Sequence, residues 1–110
     1  MNLNGIWKVK VTSGPLWFRS FNWFRDRKII NGKSGYNVAS GIKWGEFAIS
    51  SIEYLDPLDF DAIERKEIIL TYIKQPIIDK IRFVDKDRLS GKFYFKENHI
   101  GNFDMMRIKK

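Results

Sequence analysis

The sequence has no cysteine, a single histidine and only three prolines. The missing cysteine excludes a disulfide framework, a thiolate zinc site and a cysteine nucleophile. It also fits a reducing compartment, so the expectation is a cytoplasmic protein. With His99 as the sole imidazole, a transition-metal site rich in nitrogen or sulfur ligands is not expected. Long apolar runs are missing too. Uninterrupted apolar stretches last a few residues, against the roughly 20 that a membrane-crossing helix needs. Met1-Asn2-Leu3-Asn4-Gly5 has no charged start followed by an apolar run, so no secretory leader is expected. A phosphate-cradling loop is absent as well. Asn31-Gly32-Lys33-Ser34-Gly35 carries Lys-Ser but lacks the spacing and following helix of a P-loop, and a hairpin turn accounts for it.

What is present suits one small core. The 110 residues are the size of a single domain, and 15% of them are aromatic, so a few large rings can fill a small interior. The formal net charge of +7 is unevenly spread. Residues 1–50 carry eight basic side chains (Lys8, Lys10, Arg19, Arg25, Arg27, Lys28, Lys33, Lys43) against Asp26 and Glu46, whereas the remainder is nearly balanced. A basic half fits a polyanion such as nucleic acid, or plain solubility on exposed strand faces.

Along the chain, turn signals separate runs of strand-like alternation. Trp7, Val9 and Val11 alternate with Lys8 and Lys10, predicting a half-buried strand over Gly5–Thr12. Ser13-Gly14-Pro15 stops it. Trp17, Phe21 and Phe24 follow at spacings of four and three and predict a short helix presenting them on one face, with a strand as the other reading. Further strands are expected over Arg27–Ile30, Gly35–Ser40, Lys43–Tyr54 and Glu64–Lys74, the first two joined at Asn31-Gly32. A slip of alternation between Ile49 and Ile52 suggests a β-bulge. Both faces of the Glu64–Lys74 strand read as largely covered. Ile77–Val84, Arg88–Lys96 and Ile100–Lys109 form a meander through turns at Asp85-Lys86-Asp87 and Glu97-Asn98-His99. About eight strands suffice to close a sheet on itself, which also removes exposed edges. The expected fold is therefore mainly β: an antiparallel up-and-down barrel of about eight strands, with one short helix after the first.

Gly5-Ile6-Trp7 opens the first strand and Arg107 lies near the end of the last. On these residues the chain resembles the lipocalin-like (calycin) superfamily, and in particular small bacterial barrel domains with a G-x-W start. The resemblance follows strand order over residues 1–110 and implies a single lipocalin-like domain. It also implies that Gly5, Trp7 and Arg107 are structural: the guanidinium covers the indole at the closed end of the barrel. The chain is shorter than a typical lipocalin, which leaves the cavity either small or filled, and the resemblance transfers no activity.

No residue is assigned a catalytic role and no cofactor is expected. His99 would be needed by a Ser-His-Asp system or as a haem ligand, but a turn position makes it an ordinary solvated side chain. Asp56, Asp59 and Asp61 lack the glycine and glutamate of a calcium loop. Glu46, Asp79 and Asp104 lie within or beside strands and are read as facing solvent. One turned inward would be a buried carboxylate with a raised pKa, the starting point for an enzyme.

The aromatic block Trp17, Phe18, Phe21, Trp23 and Phe24, interleaved with Arg19, Arg25 and Arg27, has three readings. It seals the barrel as core, it is a lid over an apolar cavity, or it stacks single-stranded nucleic acid. The leading functional expectation is a binding module for a small apolar or amphipathic ligand. Trp17, Phe21, Phe24, Trp44, Phe47, Tyr72, Phe93, Phe95, Phe103 and Met105 would line the site, with Arg19 or Arg25 meeting an acidic head group. A nucleic-acid-binding barrel, or a structural domain with a filled core, is the alternative.

Overall fold

The computed structural model describes residues 2–53 and 66–110. The expected loop with Asp56, Asp59 and Asp61 lies outside the described residues. Eight strands run in chain order: β1 (Gly5–Ser13), β2 (Arg27–Asn31), β3 (Ser34–Ala39), β4 (Ile42–Glu53), β5 (Lys66–Tyr72), β6 (Ile77–Asp85), β7 (Arg88–Phe95) and β8 (Asn98–Lys109). Each pairs antiparallel with the next, and β8 returns to β1, closing the barrel. Between β1 and β2 lie one helical turn, α1 (Leu16–Arg19), and a 3-10 turn (Ser20–Asn22). The end bearing α1 is called the mouth, the other the floor.

Alternation dictates what fills the barrel. On β1, Trp7, Val9 and Val11 are buried while Lys8 and Lys10 are exposed. Ile68, Leu70 and Tyr72 do the same on β5, and Leu89, Gly91 and Phe93 on β7. An eight-stranded barrel is just wide enough for its own side chains, and here Trp7, Phe47, Phe103, Leu70, Ile81, Leu89 and Met105 are fully buried within it. Each such side chain contributes about 1.5–3 kcal/mol by leaving water.

Several local expectations change. The outer face of β5 is open: Ile69 is half-buried, and Thr71 and Ile73 beyond it are exposed. The bulge falls at Gly45, not between Ile49 and Ile52. β4 pairs with β5 without a break from Phe47↔Tyr72 to Glu53↔Lys66, whereas β3 steps from Gly35↔Phe47 to Asn37↔Trp44. Gly45 absorbs the extra residue at φ 60°, and a Cβ there would sit 2.7 Å from the Tyr72 ring. The last hairpin turns at Lys96 and Glu97, both at positive φ, so Asn98 and His99 already belong to β8. That pair of left-handed residues matches the twist of the flanking strands better than a three-residue loop.

The aromatic segment winds one α turn and then tightens. The face shared by Trp17, Phe21 and Phe24 therefore never forms. Phe18 is the buried residue of α1, Phe21 lies half-buried below it, and Trp17, Trp23 and Phe24 point outward. Asn22 fastens this cap. Its amide accepts from Val11 N–H (2.7 Å) and donates to Val11 C=O (3.0 Å). β1 pairs with β2 only from Gly5 to Lys8, so the Asn22 side chain stands in for the missing strand at the mouth.

Candidate functional site

Inside the barrel, directly under the cap, is a cluster of polar side chains. Lys28 points inward from β2, Asn37 from β3, Tyr72 from β5 and Asp79 from β6, and all four are buried. Lys28 Nζ uses three donors: Asp79 Oδ2 at 2.9 Å, Asn37 Oδ1 at 2.7 Å and Tyr72 Oη at 2.8 Å. Tyr72 donates to Asp79 Oδ2 (2.9 Å) and accepts from Asn37 Nδ2 (2.9 Å). The Lys28 ammonium also lies 5.4–5.5 Å from the centres of the Phe47, Tyr72 and Phe103 rings. A fifth group, Asp26, precedes β2 and is buried; its Oδ1 accepts a 3.3 Å bond from Trp44 Nε1.

Every donor in this set is used, but the acceptors are not. Asp79 Oδ1 is buried and has no hydrogen-bond partner among the protein's own groups. Burial pushes the Asp26 carboxyl up to about 6, against the pull of Lys28 and the bond from Trp44. Burial disfavours the Lys28 charge, but Asp79, Tyr72 and Asp26 together outweigh it and hold the ammonium above its ordinary value. Burial, reinforced by the negative Asp79, likewise pushes the Tyr72 hydroxyl up. At neutral pH Lys28 thus stays charged and locked, Tyr72 stays protonated, and Asp26 is the group that can take or give a proton.

A cavity of about 10 Å³, room for about one water molecule, lies between this cluster and the cap. Asp26, Lys28, Tyr72 and Asp79 bound it on the barrel side, and Phe18 and Phe21 close it at the mouth. The cap rests on stacked rings: Phe18 on Phe93 at 4.5 Å and Phe21 on Trp44 at 5.4 Å.

Of the residues expected to line a ligand site, Phe21, Trp44, Tyr72, Phe93 and Phe103 surround this cavity. Phe47 and Met105 lie in the packed core, and Phe95 is half-buried near the mouth. Trp17 and Phe24 are on the outside of the cap, as are the exposed Arg19 and Arg25. Sequence reasoning missed Lys28 and Asp26, and placed Asp79 in solvent with Glu46 and Asp104. Glu46 and Asp104 are exposed, but Asp79 is fully buried. The signal was its phase: Ile77, Asp79 and Ile81 alternate on one face of β6, and both isoleucines are core.

At the floor, the Arg107 guanidinium lies 4.3 Å above the Trp7 ring. It bonds to Asp87 Oδ1 and Lys86 C=O at 2.9 Å each, and to the carbonyls of Asn2 and Asn4. The Trp7 indole donates to Leu3 C=O at 2.8 Å. Gly5 has φ 133°, and a Cβ there would collide with the Lys109 carbonyl oxygen.

His99 is exposed at the start of β8, its Nε2 2.8 Å from Asn102 Oδ1. Among the described residues no three His, Asp or Glu side chains group as metal ligands, and no helix is long and apolar enough to cross a membrane. The basic side chains of residues 1–50 divide between the mouth and the rest of the barrel, with Arg27 at the mouth end of β2. Lys28 is inside the barrel, Lys8 and Lys10 are on its side wall, Lys33 is in a floor turn, and Arg19, Arg25 and Lys43 are at the mouth.

No family model and no curated protein matches the sequence. Among solved structures, a protein from Thermomonospora curvata is similar, with a TM-score of 0.66 and 18% identity over 96% of this chain and 74% of that one. At that identity the likeness speaks to the barrel fold alone.

Proposed function

We propose that this barrel binds a small, largely apolar molecule at its mouth, in the manner of a lipocalin-like binding module. The cap swings aside to admit the ligand, and a hydrogen-bond donor on the ligand meets the carboxylates beneath. The observation that carries this reading is Asp79 Oδ1, a buried acceptor with no partner in the protein, beside a water-sized cavity under a ring-stacked cap. A ligand hydroxyl or amine would satisfy this acceptor in place of the one water molecule for which the cavity has room. Phe93, Trp44 and Phe103 supply apolar walls for the rest of the molecule. With Asp26 and Asp79 facing the cavity and Lys28 already saturated, the interior favours a donor-bearing head over an acidic one.

Titration of tryptophan fluorescence with 2-naphthol and with 2-naphthoate tests this. The expected result is saturable quenching by naphthol, at least about tenfold tighter than naphthoate, in proportion to one hydrogen bond gained and one charge repelled. Phe18→Ala, which opens the cavity, should bind naphthol more tightly still. Absence of saturable binding in both proteins, or equal affinity for naphthoate, would refute the reading.

A further inference from the structure

The mouth carries a second feature that ligand capture does not require. Among the described residues nine large apolar side chains are exposed, and six of them sit at this one end: Leu16, Trp17, Trp23, Phe24, Ile42 and Ile73. Trp23 is 80% exposed and Leu16 71%, so these are protruding side chains, not the edges of core residues. They come from three separate places: the cap, the first residue of β4 and the segment after β5. Monomeric proteins rarely leave such clustered apolar surface bare unless it meets something.

The surrounding charge indicates what it meets. Arg19, Arg25, Lys74 and Lys96 are exposed around the same rim. Glu97 and Glu46 are the exposed carboxylates nearby, and Glu46 is paired with Lys43 at 3.2 Å. A second copy docked about a two-fold axis would bring this basic rim against itself. Single-stranded nucleic acid would leave Leu16, Ile42 and Ile73 without a base to stack on, because aliphatic side chains offer no ring. An anionic bilayer satisfies both features at once. Its acyl boundary accepts the apolar side chains, tryptophan favours the headgroup level, and the phosphates meet arginine and lysine.

We infer that the mouth of the barrel is a docking face for an anionic phospholipid membrane. Leu16, Trp23 and their neighbours enter the interface, and Arg19, Arg25, Lys74 and Lys96 bind headgroups. The protein then sits on the surface with its mouth towards the lipid. This orientation does not depend on what the barrel holds.

The test is co-sedimentation with vesicles of phosphatidylcholine alone and of phosphatidylcholine with phosphatidylglycerol at roughly two to one, followed by tryptophan fluorescence and size-exclusion chromatography. Partitioning should rise at least about tenfold with phosphatidylglycerol, fall as salt is added, and be accompanied by a blue shift. Each basic residue lost should weaken binding about fivefold, so Arg19→Glu with Arg25→Glu should lose at least about 25-fold. Trp23→Ser with Leu16→Ser should abolish the blue shift. All four positions are exposed, and circular dichroism should show unchanged folding. Equal or absent binding to the two vesicle types would overturn the inference, as would indifference to the arginine reversals. A concentration-dependent dimer broken by Trp23→Ser, without vesicle binding, would assign the face to a second copy instead.

Discussion

Lys28 Nζ and Asp79 Oδ2 meet at 2.9 Å across the barrel interior, from β2 and β6, two strands that share no edge in the sheet. The pair spans the lumen and ties opposite walls together through Tyr72 and Asn37. Two charges out of water are tolerated because each is the other's partner and every Lys28 donor is used.

Breaking this pair from one side should therefore be costly. Lys28→Met leaves a buried carboxylate without its cation and should lose about 3–5 kcal/mol in urea unfolding. Lys28→Met with Asp79→Leu removes both charges and should recover most of that loss. If the double variant is as unstable as the single, the cost belongs to packing and not to the stranded charge.

Stability should also depend on pH through Asp26. Its carboxyl is raised by burial from 3.8 to about 6, so the folded state holds this proton more tightly than the unfolded chain. The contribution is complete below about pH 4 and is lost as pH rises through 6, a change of roughly 3 kcal/mol. Lys28, Asp79 and the Trp44 indole are the groups that face it. Asp26→Asn should match the wild type near pH 4 and exceed it at pH 7, as read by unfolding at each pH. Parallel stability curves for the two proteins would contradict this.

At the floor, Arg107→Lys keeps the charge but loses the planar group over Trp7 and the fork of bonds to Asp87, Lys86 and the first residues. A loss of about 1–3 kcal/mol is expected. Trp7 emission should shift red as water reaches the ring. An unchanged midpoint would mean that charge alone suffices.

The barrel was legible wherever polar and apolar residues alternate cleanly. β1 and β7 do so, and their bounds were close; the bounds of β6 were close too, although Asp79 breaks its alternation. β3 reads backwards: Tyr36 and Val38 lie on the outer face, while the polar Asn37 is the fully buried residue. No hydropathy rule turns an asparagine inward between two apolar neighbours. Only the bulge at Gly45 and the partners Lys28 and Tyr72 explain it. The polar cluster was hidden for the same reason. A lysine, a tyrosine, an asparagine and an aspartate are each ordinary surface residues, and only closure of the sheet brings them to one point. The short helix after β1 was legible, but which of its rings face down was not, because a single helical turn is too short for helical periodicity to settle it.

Chemical-shift mapping of the isotope-labelled protein titrated with 2-naphthol shows whether a ligand enters the barrel beneath the cap. Saturable shifts are expected at Phe18, Phe21, Asp26, Tyr72 and Asp79 and at the walls Trp44, Phe93 and Phe103, with those near Trp7 and Arg107 unmoved. Shifts on the outer strand faces, or none at saturating ligand, would contradict this and leave the barrel a filled core that binds nothing inside.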